Sequence, residues 1–192
     1  MAQRGPNPIE LYQGAVDQML PTLAAIRGDQ FGNATPCTDW NVQSLINHNL
    51  RVAVFANSVL NGAPGDPGAM YAVAEPIPAE GAEAAFRANT NAVLATAKSM
   101  NLESVVETPF GSMPAGHFLM MPMADIVIHR WDLAKGSSQN IAIDSSLAEA
   151  CYQALLPAIE GGRQSGFFGS EIEVPMTSSI QDKLLGLSGR QP

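Results

Sequence analysis

Cationic residues are scarce in this sequence of 192 residues. Lys and Arg number 10 and Asp and Glu number 18, so the formal net charge is −8 at pH 7 and the pI is about 4.7. A nucleic-acid-binding surface needs a stripe of Lys and Arg that neutralises phosphates. An acidic surface also disfavours binding to anionic lipid. The charge balance therefore argues against nucleic acid and membrane surfaces as partners.

Cysteines and long apolar runs are also scarce. Cys37 and Cys151 lie far apart and in no motif, so a disulfide framework is not indicated, and both are predicted to be small core or boundary residues. No stretch approaches the roughly 18 uninterrupted apolar residues of a membrane span, and residues 1–8 hold no apolar run of the signal-peptide type. We expect a cytoplasmic protein.

Motifs of nucleotide binding and serine hydrolysis are missing. The sequence has neither a Gly-x-Gly-x-x-Gly pattern nor a phosphate loop, so Gly161 and Gly162 are interpreted as a turn that ends a helix. Ser112, His117 and Asp125 offer the residue types of a serine hydrolase, but no Gly-x-Ser-x-Gly elbow accompanies them. Both functions are set aside.

Apolar residues at helical spacing are what the sequence does contain. Hydrophobic residues make up 46% and charged residues 15%, the balance of an ordinary domain whose helices bury one face. The length suits a single domain, residues 1–192, with a well-buried core.

We predict an all-α fold with one short strand. Pro21 is expected to kink or end the first helix, and Pro122 to bend the fourth helix or delay its start. Helices are predicted at residues 8–26, from about 39 to 60, 79–100, 117–135 and 145–159, with a surface loop at 61–78, a strand at 104–108 in an extended crossover, and a mostly irregular tail over 162–192 that holds a short helix near 180–187.

Three polar residues within this apolar pattern have the types and spacing of metal ligands. Asp125 and His129 stand four residues apart on the predicted fourth helix, which places both side chains on one face. His48, three residues after Leu45 on the second helix, lies at the edge of the apolar stripe and can point inward. Two imidazoles and a carboxylate suit zinc or a neighbouring divalent ion such as nickel, and three ligands leave a coordination position open.

Other interpretations of these residues stay open. A buried ion pair of Asp125 with His129 or His48 would fix the helix register without a metal. Asp132, three residues after His129, is either an acceptor that holds this imidazole in its metal-binding tautomer or a solvated helix residue.

Two further aromatic residues have less informative surroundings. His117 has no ligand spacing, and we interpret it as structural or as lining the site. Trp40 is predicted to anchor the core at the start of the second helix rather than to bind substrate.

Three segments resemble a known family. Residues 35–48 are similar to its signature on the second helix, residues 125–134 to its second metal motif, and residues 167–192 to a tail of its short members. By these segments the chain resembles the DinB-like superfamily, and within it the proteins similar to the N-terminal metal-binding domain of mycothiol-dependent maleylpyruvate isomerase.

The resemblance implies a bundle of four main helices, with an extra C-terminal helix and an irregular tail. It implies a divalent metal, commonly zinc, held by His48, Asp125 and His129, with no catalytic residue beyond the metal centre. It also implies that a low-molecular-weight thiol, mycothiol or bacillithiol, takes the open position. A divalent ion lowers the pKa of a bound thiol, which yields a thiolate nucleophile for transfer or isomerisation.

The leading hypothesis is therefore a thiol-dependent transferase or isomerase that acts on a small electrophile. Metal activation of water for hydrolysis is the alternative chemistry. The alternative functions are a non-catalytic metal- or ligand-binding bundle, related to stress, and a metal-free bundle with a buried polar network. Apolar helix faces could serve a homodimer as well as a core.

Overall fold

The computed structural model describes residues 7–63 and 65–192. Residues 1–6, from the segment without a signal-type apolar run, and Pro64, from the predicted loop, lie outside the described residues. The described chain is mainly helical, which confirms the predicted all-α class. No described helix is long and apolar enough to cross a membrane. The elements are α1 (Pro8–Ala25), α2 (Val42–Leu60), α3 (Ala82–Ser99), β1 (Val105–Thr108), β2 (Gly111–Pro114), α4 (Ala115–Gly136), α5 (Ser145–Leu155), α6 (Ile159–Gln164) and α7 (Ile180–Leu187).

The four long helices, α1 to α4, form a bundle. α1 packs against α3 and α4, and α2 packs against the same two helices, so the four apolar faces meet in one core. Among the largest fully buried side chains are Tyr12, Phe86, Phe118 and Trp131, and burial of apolar area contributes roughly 25 cal/mol per Å². α5 packs on α4, and α7 packs on α5. The pairing of α2 with α4 brings the predicted ligands together.

Prolines interrupt the long helices less than the sequence predicts. α1 continues through Pro21, and α4 begins at Ala115, two residues before its predicted start, and continues through Pro122. Pro21 lies on an exposed face of α1, where a carbonyl that loses its partner can bond to water. The predicted fifth helix does break: α5 ends at Leu155, shortly before Pro157.

Further helix boundaries differ from the prediction, among them the start of α3, which is Ala82 rather than residue 79. α2 begins at Val42 rather than near residue 39, because the Asn41 side chain accepts a 2.9 Å hydrogen bond from the Ser44 amide and caps the helix there. The prediction that Gly161 and Gly162 form a terminating turn is wrong, since both lie inside α6. Proline, rather than glycine, ends the preceding helix.

The predicted strand is confirmed, but it pairs with a strand that the sequence did not indicate. β1 and β2 form an antiparallel hairpin in which Val105 lies opposite Pro114 and Thr108 opposite Gly111. Gly111 has φ +109°, a conformation that glycine adopts readily, and the Thr108 hydroxyl donates a 2.8 Å hydrogen bond to its carbonyl. The residues of β2, Gly-Ser-Met-Pro, do not favour strands, so no local sequence pattern predicted a strand there.

The loop between α2 and α3 is a surface loop as predicted, since most of its described residues are exposed, and it folds back on α2. It contains a short 3-10 helix, Pro67–Tyr71, whose Met70 side chain is buried. The Asn47 side-chain amide donates hydrogen bonds to the carbonyls of Val73, at 3.1 Å, and Glu75, at 2.6 Å. We call residues 65–81 the docked loop. It lies beside the segment of α2 that carries His48.

The C-terminal tail is mostly irregular and contains α7 at the predicted residues. Hydrogen bonds within the tail connect its earlier residues to α7. The Arg163 guanidinium donates a 2.7 Å hydrogen bond to the Leu187 carbonyl, and the Ile172 amide donates one of 3.0 Å to the Gly186 carbonyl. The end of the chain thereby reaches the buried part of α4, where it meets Asp132.

Close packing of the tail predicts an effect of one added methyl group. A Cβ at Gly186 would collide with the backbone carbonyl of Ile172, whereas a Cβ at Gly161 would meet no atom within 4 Å. We expect Gly186→Ala to lower the free energy of unfolding by about 1 to 3 kcal/mol, the usual cost of overpacking. Gly161→Ala, the matched control in α6, should be neutral or slightly stabilising because alanine favours helix.

Urea denaturation followed by circular dichroism measures both free energies. Equal stability of the two variants would contradict the close approach of α7 to residue 172.

Candidate metal centre

Two helices supply the three predicted ligands. α2 carries His48, and α4 carries Asp125 and, one turn later, His129. The Nε2 atoms of both histidines lie 3.4 Å from Asp125 Oδ1. One ligand atom from each residue lies within 4.8 Å of the other two. We call these three side chains the ligand cluster. The structure thus brings His48 together with Asp125, which lies 77 positions later in the sequence.

The outer nitrogen of each histidine already has an acceptor. His48 Nδ1 lies 3.0 Å from the Met70 carbonyl of the docked loop, and His129 Nδ1 lies 3.0 Å from Asp132 Oδ2. A carbonyl accepts and cannot donate, so His48 Nδ1 must carry the hydrogen, and an ionised Asp132 sets the same tautomer at His129. Each imidazole therefore donates a hydrogen bond through Nδ1 and presents its Nε2 atom to Asp125.

This arrangement requires a cation between the imidazoles and the carboxylate. A neutral imidazole with hydrogen on Nδ1 directs the Nε2 lone pair at the negatively charged oxygen, which is repulsive unless a proton or a metal ion intervenes. Asp125 Oδ2 is also buried and has no hydrogen-bond partner among the described residues. The ligand cluster therefore offers two imidazole nitrogens and a carboxylate with one uncommitted oxygen, a donor set that fits a divalent ion.

The pKa values show how the cluster behaves with protons alone. Burial alone would raise the pKa of Asp125, but the adjacent His129 and His48 hold it well below its usual range. Burial alone would lower the pKa of His129, but the adjacent Asp125 and Asp132 carboxylates outweigh this effect and raise the pKa to about 9. Without a metal, His129 is protonated at neutral pH, and its proton occupies part of the space between the ligands.

Asp132 lies in the core rather than on a solvated face. Its side chain is 0% exposed, and one oxygen accepts from both His129 and Arg190, whose Nη2 lies 2.9 Å away. The sequence interpretation did not include Arg190. It stands 58 residues from Asp132, in the tail segment that resembles short family members, but no ligand spacing indicated a role for this side chain. The interpretation of Asp132 as a solvated helix residue is wrong.

Aromatic rings cover one side of the ligand cluster. Trp40 was expected to anchor the core; it packs against the core, but it is only partly buried and its ring lies 4.4 Å from that of His48 and 6.0 Å from that of His129. Tyr71 of the docked loop lies 5.9 Å from Trp40 between ring centroids, and it is 44% exposed. Trp40 and Tyr71 together form what we call the aromatic wall.

Two further polar groups lie near the ligand cluster. The Tyr12 hydroxyl, from α1, is buried and has no hydrogen-bond partner among the described residues; burial raises its pKa, and the charge of Asp125 raises it further. Cys37 is half-buried, and its sulfur lies within 4.8 Å of ligand atoms of His129 and Asp132. Burial raises the pKa of Cys37 to about 11, so this side chain is a thiol at neutral pH.

The remaining candidates lie outside the ligand cluster. His117 is exposed on the first turn of α4 and belongs to neither group of close metal-ligand types among the described residues. Ser112 donates its hydroxyl hydrogen to Glu107 at 2.7 Å. The serine-hydrolase arrangement that was set aside is therefore not assembled.

Comparison with known proteins agrees with this architecture. The family model described as the mycothiol maleylpyruvate isomerase N-terminal domain matches residues 12–134, which is more than half of the chain. Two similar proteins are the uncharacterized proteins MT0763 and Rv0738 of Mycobacterium tuberculosis, from strains CDC 1551 / Oshkosh and ATCC 25618 / H37Rv. Each is 29% identical over 192 residues, which covers 96% of this chain and 98% of the relative.

Two crystal structures of mycothiol-dependent maleylpyruvate isomerase, one of them of a point mutant, share the fold. Each superposes with a TM-score of 0.68 over 90% of this chain and 76% of the other, at 15% and 16% sequence identity. At such low identity the superposition shows the bundle alone, while the family model spans α2 and α4 with all three residues of the ligand cluster. The chain belongs to the family of the mycothiol maleylpyruvate isomerase N-terminal domain.

Proposed function

We propose that this protein binds a divalent metal ion, zinc or nickel, through His48, Asp125 and His129, and that the bound ion activates a low-molecular-weight thiol. The observation that carries the proposal is the pair of Nε2 atoms, each 3.4 Å from Asp125 Oδ1, on histidines whose Nδ1 atoms already have acceptors. Such outer acceptors commonly orient the histidines of metal sites.

The thiol part of the proposal draws on the family. The family is named for mycothiol and maleylpyruvate isomerase, and we transfer to this chain the use of a small thiol and an electrophile. When bound, a divalent ion supplies a lowered pKa for a coordinating thiol and thus a nucleophile at neutral pH. Transfer and isomerisation are the two reactions that this nucleophile serves.

The chain's own residues contribute position and shielding. Met70 and Asp132 hold the imidazole rings, and the buried core on α1 and α4 restricts water to one side of the ligand cluster. The aromatic wall lies at the accessible side, because Tyr71 is exposed and Trp40 is partly so. An apolar face there suits the carbon skeleton of a thiol or of a planar electrophile.

The ligand assignment predicts a specific pattern of metal content. Protein purified without an affinity tag should contain about one equivalent of zinc or nickel by elemental analysis. His48→Ala and His129→Ala should lose it, because each removes one of three ligands. His117→Ala, the control on the exposed first turn of α4, should retain it.

Circular dichroism should show that all three variants remain helical. Metal retained in the His48 or His129 variant would contradict the assignment. Absence of metal from the parent, even after reconstitution, would favour the buried polar network.

Proton competition predicts that metal affinity rises with pH. The pKa of His129 is about 9 without metal, so at pH values below this the ion must displace a proton from Nε2. Calorimetric titration with zinc at neutral pH, in buffers of different ionisation enthalpy, should show release of about one proton or more per ion. An affinity that does not change between pH of about 6 and about 9 would show that His129 is not a ligand.

The thiol assignment predicts a spectroscopic signal. A thiol such as N-acetylcysteine or mycothiol, titrated into the cobalt-loaded protein, should produce a sulfur-to-metal charge-transfer band. Trp40→Leu should weaken thiol affinity roughly two- to tenfold with cobalt content unchanged, the equivalent of an aromatic contact of about 0.5 to 1.5 kcal/mol. Phe110→Leu, on the hairpin turn, should behave like the parent, since this ring packs on Phe55 and Phe167.

A cobalt-loaded protein without this band would contradict thiol binding and support a non-catalytic metal protein. In protein that does show the band, thiol-dependent turnover of small electrophiles would distinguish an enzyme from a thiol-binding protein without catalytic activity.

A further inference from the structure

We propose that the C-terminal tail completes the metal centre, with Arg190 as a positioning residue that acts on His129 through Asp132. The inference rests on the proposed metal function and assigns a role to a residue that touches none of the three ligands directly. It also predicts that docking of the tail and binding of the metal strengthen each other.

One carboxylate joins the tail to the ligand cluster. Asp132 Oδ2 lies 2.9 Å from Arg190 Nη2 and 3.0 Å from His129 Nδ1, and Asp132 Oδ1 lies 3.4 Å from Arg190 Nε. Asp132 is 0% exposed and Arg190 only 9%, so water replaces neither partner. The guanidinium therefore supplies the counter-charge that keeps a buried carboxylate available as the acceptor for His129.

The tail backbone fixes the guanidinium. The Arg190 amide donates a 2.8 Å hydrogen bond to the Leu185 carbonyl, and Nη1 donates one of 2.8 Å to the Ser188 carbonyl. Gly189 has φ +80°, and a Cβ there would lie 3.1 Å from the Ser170 carbonyl oxygen. In this turn after α7, these bonds place the Arg190 guanidinium against Asp132 of α4.

The hydrogen bond from His129 to Asp132 determines which nitrogen of His129 faces the proposed metal. Asp132 fixes the hydrogen on His129 Nδ1 and the angle of the ring, which leaves Nε2 facing Asp125. If Arg190 were absent, Asp132 would be a buried anion with one imidazole partner and would have to move toward solvent or take up a proton. Either change releases the His129 ring, so we expect weaker and less ordered metal binding.

Linkage makes this relation reciprocal. A tail that orients His129 raises metal affinity, and a bound metal that holds His129 and Asp132 in place stabilises the docked tail by the same factor. Removal of partners that orient metal-bound histidines typically lowers affinity 10- to 100-fold. The same range is expected for Arg190.

Cobalt titration of three variants tests the role of Arg190. Arg190→Met should lower Co²⁺ affinity about 10- to 100-fold and change the d–d absorption of the bound ion, and Arg190→Lys should recover part of both because it restores the charge without the fork. Arg87→Met is the matched control. Arg87 is exposed on α3 and pairs with Glu83 of the same helix, away from the tail, so affinity and spectrum should stay near those of the parent.

Hydrogen exchange tests the coupling on the unmodified protein. Amides of residues 188–190, which donate to carbonyls of α7, should exchange more slowly with Co²⁺ bound than without, while the Phe167 amide, bonded to Gly162, should not change. The slowing should disappear in Asp132→Asn.

If Arg190→Met retains the affinity and spectrum of the parent, or if Co²⁺ does not slow exchange at residues 188–190, this inference is overturned while the proposed metal site is unaffected. A parent that binds no Co²⁺ would overturn the proposed function, and this inference with it.

Discussion

The two hydrogen bonds that occupy the outer nitrogens of His48 and His129 constrain the rest of the site. Each acceptor turns a flexible imidazole into a donor atom of fixed direction, since Nδ1 is held and Nε2 must face Asp125. The half-buried Asp125 carboxylate and the two inward nitrogens then form a site that a proton or a metal ion must neutralise. The proposed metal affinity depends on this condition.

Two segments outside the four-helix bundle, the docked loop and the C-terminal tail, contribute to that constraint. The docked loop carries both the Met70 carbonyl and Tyr71, and Asn47 fastens this loop to α2 one residue before His48. The tail contributes Arg190 after a turn that α7 and Arg163 hold in position. Loop and tail are mostly irregular segments, yet each supplies a group that orients the site: the Met70 carbonyl contacts His48, and Arg190 contacts Asp132.

Sequence alone predicted the parts that follow from local periodicity. The spacing of Asp125 and His129 placed them on one helical face, and apolar repeats located the main helices. Contacts made by the backbone produce no such pattern. Any residue type could supply the Met70 carbonyl, which contacts His48. The strand β2 follows a tight turn that Gly111 allows, although its residues have low strand propensity. Arg190 was missed because only the folded tail brings it to Asp132.

The central claim is that both imidazoles bind one divalent ion. X-ray absorption at the zinc edge, on tag-free protein, tests it most directly because it reads the identity and distance of the neighbouring atoms. The account predicts two imidazole ligands at about 2.0–2.1 Å, visible through their multiple scattering, together with oxygen. Zinc surrounded by oxygen alone, or by sulfur from Cys37 without imidazole, would contradict it.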